Sequence, residues 1–156
     1  MKYLVFSIFV ALTLISCGES AMHYNDTLVK SQIDISENLN KIFSENISYE
    51  QIVQQRKAMI ENAEKGLEAT QTLTGFKGNT SYKFAAVKYY SFVSSFFSTT
   101  DEIDSLLYFF SNKERMKKIS QEKFDRFRWN LDQFQSVEDE FLNEQRKFAQ
   151  QNQLKL

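Results

Sequence analysis

Residues 81–110 read SYKFAAVKYYSFVSSFFSTTDEIDSLLYFF, and large apolar side chains recur in this stretch at spacings of three or four. An α-helix has about 3.6 residues per turn, so this spacing gathers those side chains along one face. The stretch contains neither glycine nor proline, the two residues that most disfavour a helix. We therefore predict one long helix over residues 81–110, with an inner face formed by Tyr82, Ala85, Tyr89, Phe92 or Val93, Phe96, Thr100, Ile103, Leu107 and Phe110.

The composition of the whole chain is poor in helix breakers. Its 156 residues include no proline and only four glycines, while phenylalanine occurs 15 times. An average protein contains about 5% proline. Few breakers together with many large apolar side chains indicate an all-α protein. The net charge of −1 gives no strong field of either sign, so the composition does not indicate a nucleic-acid partner.

Three further stretches have helical periodicity. They cover residues 24–44, 48–73 and 113–150, and the last has a bend near Ser120. Ser48 and Gln51 match a capping box, which predicts that the second helix begins there. The predicted inner faces are formed by Leu28, Ile35, Leu39 and Ile42 in the first, by Ile52, Arg56, Met59, Ala63, Leu67 and Thr70 in the second, and by Phe124, Phe127, Leu131, Phe134, Phe141 and Phe148 in the last.

The connections between the predicted helices are short. The clearest loop, residues 74–80, contains two of the four glycines. Four amphipathic helices with short connections favour an antiparallel up-down-up-down four-helix bundle over residues 24–152. The alternative is three helices, with the first part of the chain disordered. Gly66 lies inside a predicted helix, where glycine costs about 1 kcal/mol relative to alanine, and we expect it to mark a close approach of two helices.

The N-terminal residues have a different organisation. Met1 and Lys2 supply positive charge, residues 3–15 are almost wholly apolar, and the segment ends in Leu14-Ile15-Ser16-Cys17. This order is typical of a secretory signal peptide, and its last four residues resemble the bacterial lipobox. The apolar run is shorter than the ~20 residues that a membrane-spanning helix needs. The resemblance implies a signal peptide over residues 1–16, forming an apolar helix outside the bundle, cleavage between Ser16 and Cys17, and a lipid on the Cys17 sulfur.

The lipobox resemblance also implies a location. Residues 17–23 would be the acylated cysteine and a tether, and several acyl chains on one residue make a stable membrane anchor. Gly18 stands where aspartate retains lipoproteins at the inner membrane, so we expect the outer membrane of a Gram-negative bacterium, on its periplasmic or surface side. The chain is similar to uncharacterised helical surface lipoproteins of such bacteria, specifically over residues 1–18. The alternative is an ordinary N-terminal membrane anchor in which Cys17 occurs by chance.

Residues suited to catalysis or metal binding are scarce. His23 is the only histidine and Cys17 the only cysteine, which excludes the paired Glu-x-x-His motifs of di-metal bundles and the common zinc sites. No Gly-rich phosphate loop or nucleophile motif occurs. Glu61, Glu64 and Glu68 share one side of the second predicted helix, where a salt-bridged outer face is favoured over a cation-binding patch. We therefore expect no enzymatic activity, no cofactor and no metal.

Aromatic side chains supply the candidate binding face. Neighbouring residues differ by about 100° around a helix, so adjacent aromatic pairs cannot both point inward. Some of these rings must lie at the flank or on the surface of the bundle, where they would form an apolar groove or a partner-helix site. The candidate residues are Tyr89, Phe92, Phe96, Phe97, Tyr108 and Phe109.

The sequence thus predicts a non-enzymatic, membrane-anchored envelope lipoprotein whose helical bundle has a protein-binding or structural role. Its partners would be the membrane, through the lipid on Cys17, and an unidentified envelope protein. The alternative is a carrier or binder of a small apolar ligand between the helices. A cavity lined by Tyr89, Phe92, Phe96 and Phe127 would favour the carrier, whereas a solid core with an exposed aromatic strip would favour the protein binder.

Overall fold

The structure is a computed structural model, and it describes residues 20–44, 47–99 and 102–155. Within these ranges the chain is all-helical and has no β-strand, which confirms the predicted all-α class. No helix of the described part is both long and apolar enough to cross a membrane. The predicted signal helix, the cleavage site and Cys17 lie outside the described residues. The helices are α1 (Ala21–Ile42), α2 (Tyr49–Thr72), α3 (Ser81–Ser98), α4 (Glu102–Phe110), α5 (Lys113–Met116) and α6 (Gln121–Gln151).

Side-chain caps define the starts of the first two helices. The predicted capping box is confirmed, because Gln51 N donates to Ser48 Oγ at 3.2 Å and Ser48 N donates to Gln51 Oε1 at 2.8 Å. α1 begins three residues before the predicted start at Tyr24. Its N-cap is Ser20, whose Oγ accepts from His23 N at 3.1 Å. A serine hydroxyl satisfies a backbone donor that the first helical turn leaves unpaired. Ser20 and Ser48 can therefore each start a helix.

The single helix predicted over residues 81–110 is wrong, because the structure divides this stretch between α3 and α4. α3 ends at Ser98, and α4 begins at Glu102. Hydroxyl side chains compete for backbone carbonyls near helix ends, and Thr99 Oγ1 donates to Ser95 O here. A second acceptor, Phe97 O, is taken by Arg56 of α2 at 2.8 Å. The chain can therefore leave the helix at this point without leaving these carbonyls unpaired.

The helix predicted over residues 113–150 is also divided, at the position where a bend was expected. α5 ends at Met116 and α6 begins at Gln121. Ser120 is the N-cap of α6, with its Oγ accepting from Lys123 N at 3.4 Å. The four predicted helices thus correspond to six helices in the described residues.

The core lies where α1 packs on α2, α2 on α3, and α3 on α6. Gly66 marks a close helix approach, as its sequence position predicted. A methyl group there would lie 2.6 Å from the Tyr90 ring and 2.9 Å from Ser31 Cβ. Between α3 and α6 the core is aromatic, and the Phe141 ring lies 5.4 Å from Tyr89 and 5.5 Å from Tyr82. Stacked and tilted ring pairs at these distances stabilise beyond their buried area.

Three buried tyrosines of α3 bring hydroxyl groups into this core. Tyr90 OH donates to Leu28 O at 2.5 Å, and Tyr82 OH donates to Asn25 Oδ1 at 3.1 Å. Burial raises the pKa of Tyr82, Tyr89 and Tyr90 well above the ordinary value of 10.0, since a phenolate would lose its solvation there. These side chains therefore stay neutral, and the hydrogen bonds of Tyr82 and Tyr90 fasten α3 to α1.

Candidate functional site

An open groove lies between the end of α3, the start of α4 and the first part of α6. We call it the aromatic groove. Its volume is about 380 Å³, within the range of about 300–1,000 Å³ that small-molecule sites occupy. The lining residues are Phe92, Ser95, Phe96, Thr99, Glu102, Ile103, Leu106, Arg126, Phe127 and Asn130.

The apolar surface of the aromatic groove is held in place by ring contacts. Phe96 lies 5.8 Å from Phe92 and 6.1 Å from Phe127, measured between ring centroids. Phe127 is 1% exposed and also contacts Phe110, at 4.5 Å. Phe92 and Phe96 are half-buried, so each ring has one side on the core and another on the groove. Ile103 completes this surface from α4.

Charged side chains lie along one edge of the groove. The Glu102 carboxylate lies 2.7 Å from Lys123 Nζ and 3.4 Å from Arg126 Nη2. The Lys123 ammonium, and to a lesser degree the Arg126 guanidinium, hold the pKa of Glu102 below its usual range. All three side chains are between 38% and 57% exposed. They form a solvent-accessible, charged edge beside an apolar surface.

A smaller cavity of about 270 Å³ adjoins the aromatic groove on the other side of Glu102 and Leu106. We call it the α4–α6 cavity. Leu106 and Glu102 line both spaces, so the two are neighbours along α4. Its lining residues are Glu102, Ser105, Leu106, Phe109, Lys118, Ile119, Ser120 and Lys123.

A buried ion pair positions α4 against α2. Arg56 Nε donates to Asp104 Oδ1 at 2.5 Å, and Arg56 Nη2 donates to Asp104 Oδ2 at 3.0 Å. The side chains are only 14% and 8% exposed. Because Arg56 also bonds Phe97 O at the end of α3, one guanidinium joins α2 to both sides of the α3–α4 junction. Such planar, two-point bonding fixes orientation as well as distance.

The structure separates the predicted binding-face residues. Phe92 and Phe96 come together in the aromatic groove, and Phe109 lines the α4–α6 cavity. Tyr89 and Phe97 are fully buried in the core, at 0% exposed each, and present no surface to a ligand.

Tyr108 lies on another side of α4. Its ring centroid is 3.9 Å from the Arg115 guanidinium and 5.7 Å from the Tyr49 ring. It lines neither the aromatic groove nor the α4–α6 cavity.

The pairing of Glu102 with Lys123 and Arg126 was not predicted. Glu102 is separated in sequence from Lys123 and Arg126 by more than twenty residues, and their meeting depends on the α5 turn. The sequence did contain one signal for the Arg56–Asp104 pair, since Arg56 falls on the predicted inner face of its helix. A charged residue on an inner face requires a buried partner.

Two further sequence candidates can be placed. Glu61, Glu64 and Glu68 are exposed on α2, in the pattern of an outer face. Among the described residues, no group of three or more His, Cys, Asp or Glu side chains is arranged to hold a metal ion.

No protein-family model matches the chain, and no curated protein or solved structure is significantly similar to it. The function is therefore argued from the residues of the chain itself.

Proposed function

We propose that this chain is a non-enzymatic envelope lipoprotein that binds a small apolar ligand in the aromatic groove. The signal peptide over residues 1–16 and a lipid on Cys17 would anchor it to the outer membrane of a Gram-negative bacterium. The lipobox resemblance of Leu14-Ile15-Ser16-Cys17 supports the anchor. The aromatic groove supports the proposed binding of an apolar ligand.

The observation that carries the binding proposal is the set of rings lining the groove. Phe92, Phe96 and Phe127 were three of the four residues expected to line a carrier cavity, and all three line it. The fourth, Tyr89, is in the core. Phe92 and Phe96 are therefore partly open to solvent beside a packed core, an arrangement that a bound apolar molecule would stabilise by removing these rings from water.

We further propose that the helices form the antiparallel up-down four-helix bundle, with α3 and α4 together as its third member. The contacts between α3 and α6 support this, since Tyr82 lies against Phe148 at 5.3 Å and Phe96 against Phe127 at 6.1 Å. Gln32 Nε2 donates to Glu138 Oε1 at 3.3 Å, which brings α1 to α6. The bundle would place the groove at the side of α3 and α6, near the junction with α4.

A protein-binding or structural role is the second candidate. Two large side chains, Phe84 at 64% and Trp129 at 61%, are exposed on α3 and α6. Exposed aromatic side chains are common anchors in protein–protein interfaces. A partner that covers them would account for their exposure.

The proposed ligand binding can be tested with the full chain in phosphatidylcholine vesicles. Trp129 is the only tryptophan, so saturable energy transfer from it to the uncharged dye N-phenyl-1-naphthylamine, beyond the transfer to dye dissolved in the bilayer, reports dye bound to this protein. Ser95 is exposed and lines the groove, and Ser95→Phe would fill the groove from its edge. We expect this variant to lose saturable transfer.

The matched control is Ser91→Phe, an exposed position on the same helix that does not line the groove. It should bind the dye as the parent chain does. Equal transfer in both variants would contradict ligand binding in the groove. The anchor is tested separately by the intact mass of the membrane-extracted chain beside a Cys17→Ala variant, where only the parent should begin at Cys17 and carry acyl groups.

A further inference from the structure

The charged edge of the aromatic groove points to the chemical class of its ligand. We propose that the groove binds a single-chain amphiphile with an anionic headgroup, with the apolar chain against Phe92, Phe96 and Phe127 and the headgroup at Lys123 and Arg126. This inference rests on the proposed ligand binding and adds a headgroup site to it.

The apolar surface of the groove extends along α4. The α4–α6 cavity continues the groove along α4, and Leu106 borders both spaces. A flexible single chain can follow such a surface. An α-helix with its side chains is ~10 Å across, so an open groove of about 380 Å³ would admit only part of one face of such a helix. The dimensions therefore favour a thin ligand over a partner helix.

The charged side chains around the two spaces are mostly basic. Lys118, Lys123 and Arg126 line the two spaces, and Glu102 is the one carboxylate among their described lining residues. Three cations against one anion leave an excess of two positive charges beside the apolar surface. Lys118 makes no ion pair within the described ranges 20–44, 47–99 and 102–155. This excess of positive charge favours an anionic headgroup over a neutral or cationic one.

Glu102 lies between the two cations proposed to bind the headgroup. Its carboxylate bridges Lys123 and Arg126, at 2.7 and 3.4 Å, on the boundary between the groove and the α4–α6 cavity. It therefore occupies the place that a ligand carboxylate would take between the same two cations. An anionic headgroup would exchange with Glu102, which is 38% exposed and can turn toward solvent. Glu102 acts in this view as an internal competitor that weakens ligand binding.

The test uses competition against a fluorescent amphiphile in the full chain on phosphatidylcholine vesicles. The probe is 11-(dansylamino)undecanoate, detected by energy transfer from Trp129. The competitors are dodecanoate and dodecanol, which share a chain length and differ in the charge of the headgroup. We expect dodecanoate to displace the probe at about fivefold lower concentration than dodecanol, a ratio typical of an exposed ion pair.

Three variants distinguish the contribution of the headgroup to binding from that of the apolar chain. Lys123→Gln with Arg126→Gln should weaken binding of the anionic probe and make dodecanoate and dodecanol compete at equal concentrations. Glu102→Gln should tighten dodecanoate binding, because it frees both cations. Its matched control is Glu114→Gln, which alters an exposed glutamate paired with Lys117 away from the groove and should change nothing.

Each alternative gives a distinct result. If the apolar dye binds and is lost in Ser95→Phe, but dodecanoate and dodecanol compete equally, the headgroup site is overturned and the ligand-binding function stands. A Glu102→Gln variant that binds dodecanoate less tightly also overturns it. If neither dye nor probe binds saturably, both proposals fail, and the groove is left to a protein partner.

Discussion

Replacing Arg56 by Met removes the guanidinium that joins α2 to Asp104 of α4 and to Phe97 O of α3. The substitution keeps an unbranched apolar stem, so packing against neighbouring side chains changes little. It leaves the Asp104 carboxylate, whose side chain is 8% exposed, without its cation. Losing one partner of a buried pair costs about 3–5 kcal/mol. Since Arg56 is 14% exposed, we expect the lower end, about 3 kcal/mol.

The measurement is urea unfolding of the full chain followed by far-UV circular dichroism. With a urea dependence of about 1–3 kcal/mol per molar for a domain of this size, the midpoint should fall by roughly 1–3 M. Asp104→Leu alone should cost a similar free energy, because it leaves the guanidinium uncompensated. The double variant Arg56→Met, Asp104→Leu should recover much of the loss, as buried pairs exchanged for apolar side chains often do. The expected coupling is about 1–3 kcal/mol.

The matched control is the ion pair between Lys88 of α3 and Glu140 of α6, whose side chains are 56% and 47% exposed. Exposed pairs contribute about 0–1 kcal/mol, so Lys88→Met should shift the midpoint little. The reasoning is refuted if the Arg56 and Asp104 losses simply add, or if they are no larger than that of Lys88→Met. Hydrogen exchange gives a local check, since α4 amides should lose more protection than α1 amides in Arg56→Met.

Three further predictions concern stability. Gly66→Ala should destabilise by about 1–3 kcal/mol in urea unfolding, because the new methyl would lie 2.6 Å from the Tyr90 ring; a stabilised variant would contradict the close approach. Ser48→Ala should cost about 1 kcal/mol through loss of the α2 cap, and Ser48→Asp should restore most of it. Tyr82, Tyr89 and Tyr90 have a raised pKa when folded, so the unfolded chain releases these protons first. Stability should therefore be intact below pH 10 and fall as pH rises above it, with phenolate absorbance appearing together with loss of helix; phenolate formation by all tyrosines before unfolding would contradict this.

Local sequence signals predicted most of the helical structure. The capping box at Ser48 and the inner face of α6 depend on neighbours within a few turns, and a periodic pattern records such neighbours directly. The α3–α4 junction was missed because the apolar spacing continues through it. The end of α3 depends partly on a tertiary contact, since Arg56 lies 41 residues from the carbonyl that it bonds. No local pattern records an acceptor taken by another helix.

The candidate site was predicted less completely, for a related reason. Which rings of an adjacent pair face the core depends on the neighbouring helices, so Phe97 is buried and Phe96 borders the groove. The sequence identified Phe96 and Phe97 as candidate binding residues but did not indicate which of the two is buried. The charged edge required knowing how α5 returns the chain toward Glu102.

The N-cap at Ser20 has a consequence for the reach of an anchored domain. Only three residue steps separate Cys17 from Ser20, a contour length of at most ~11 Å. Tyr24 and Tyr82 lie together near the start of α1, with ring centroids 6.3 Å apart. Phe96 follows 14 residues further along α3, or ~21 Å at 1.5 Å per residue. With a lipid on Cys17, this short tether would hold the start of α1 close to the membrane, and the groove would lie toward the opposite end of the domain. When the domain stands upright on the membrane, a ligand would have to cross water to reach the groove.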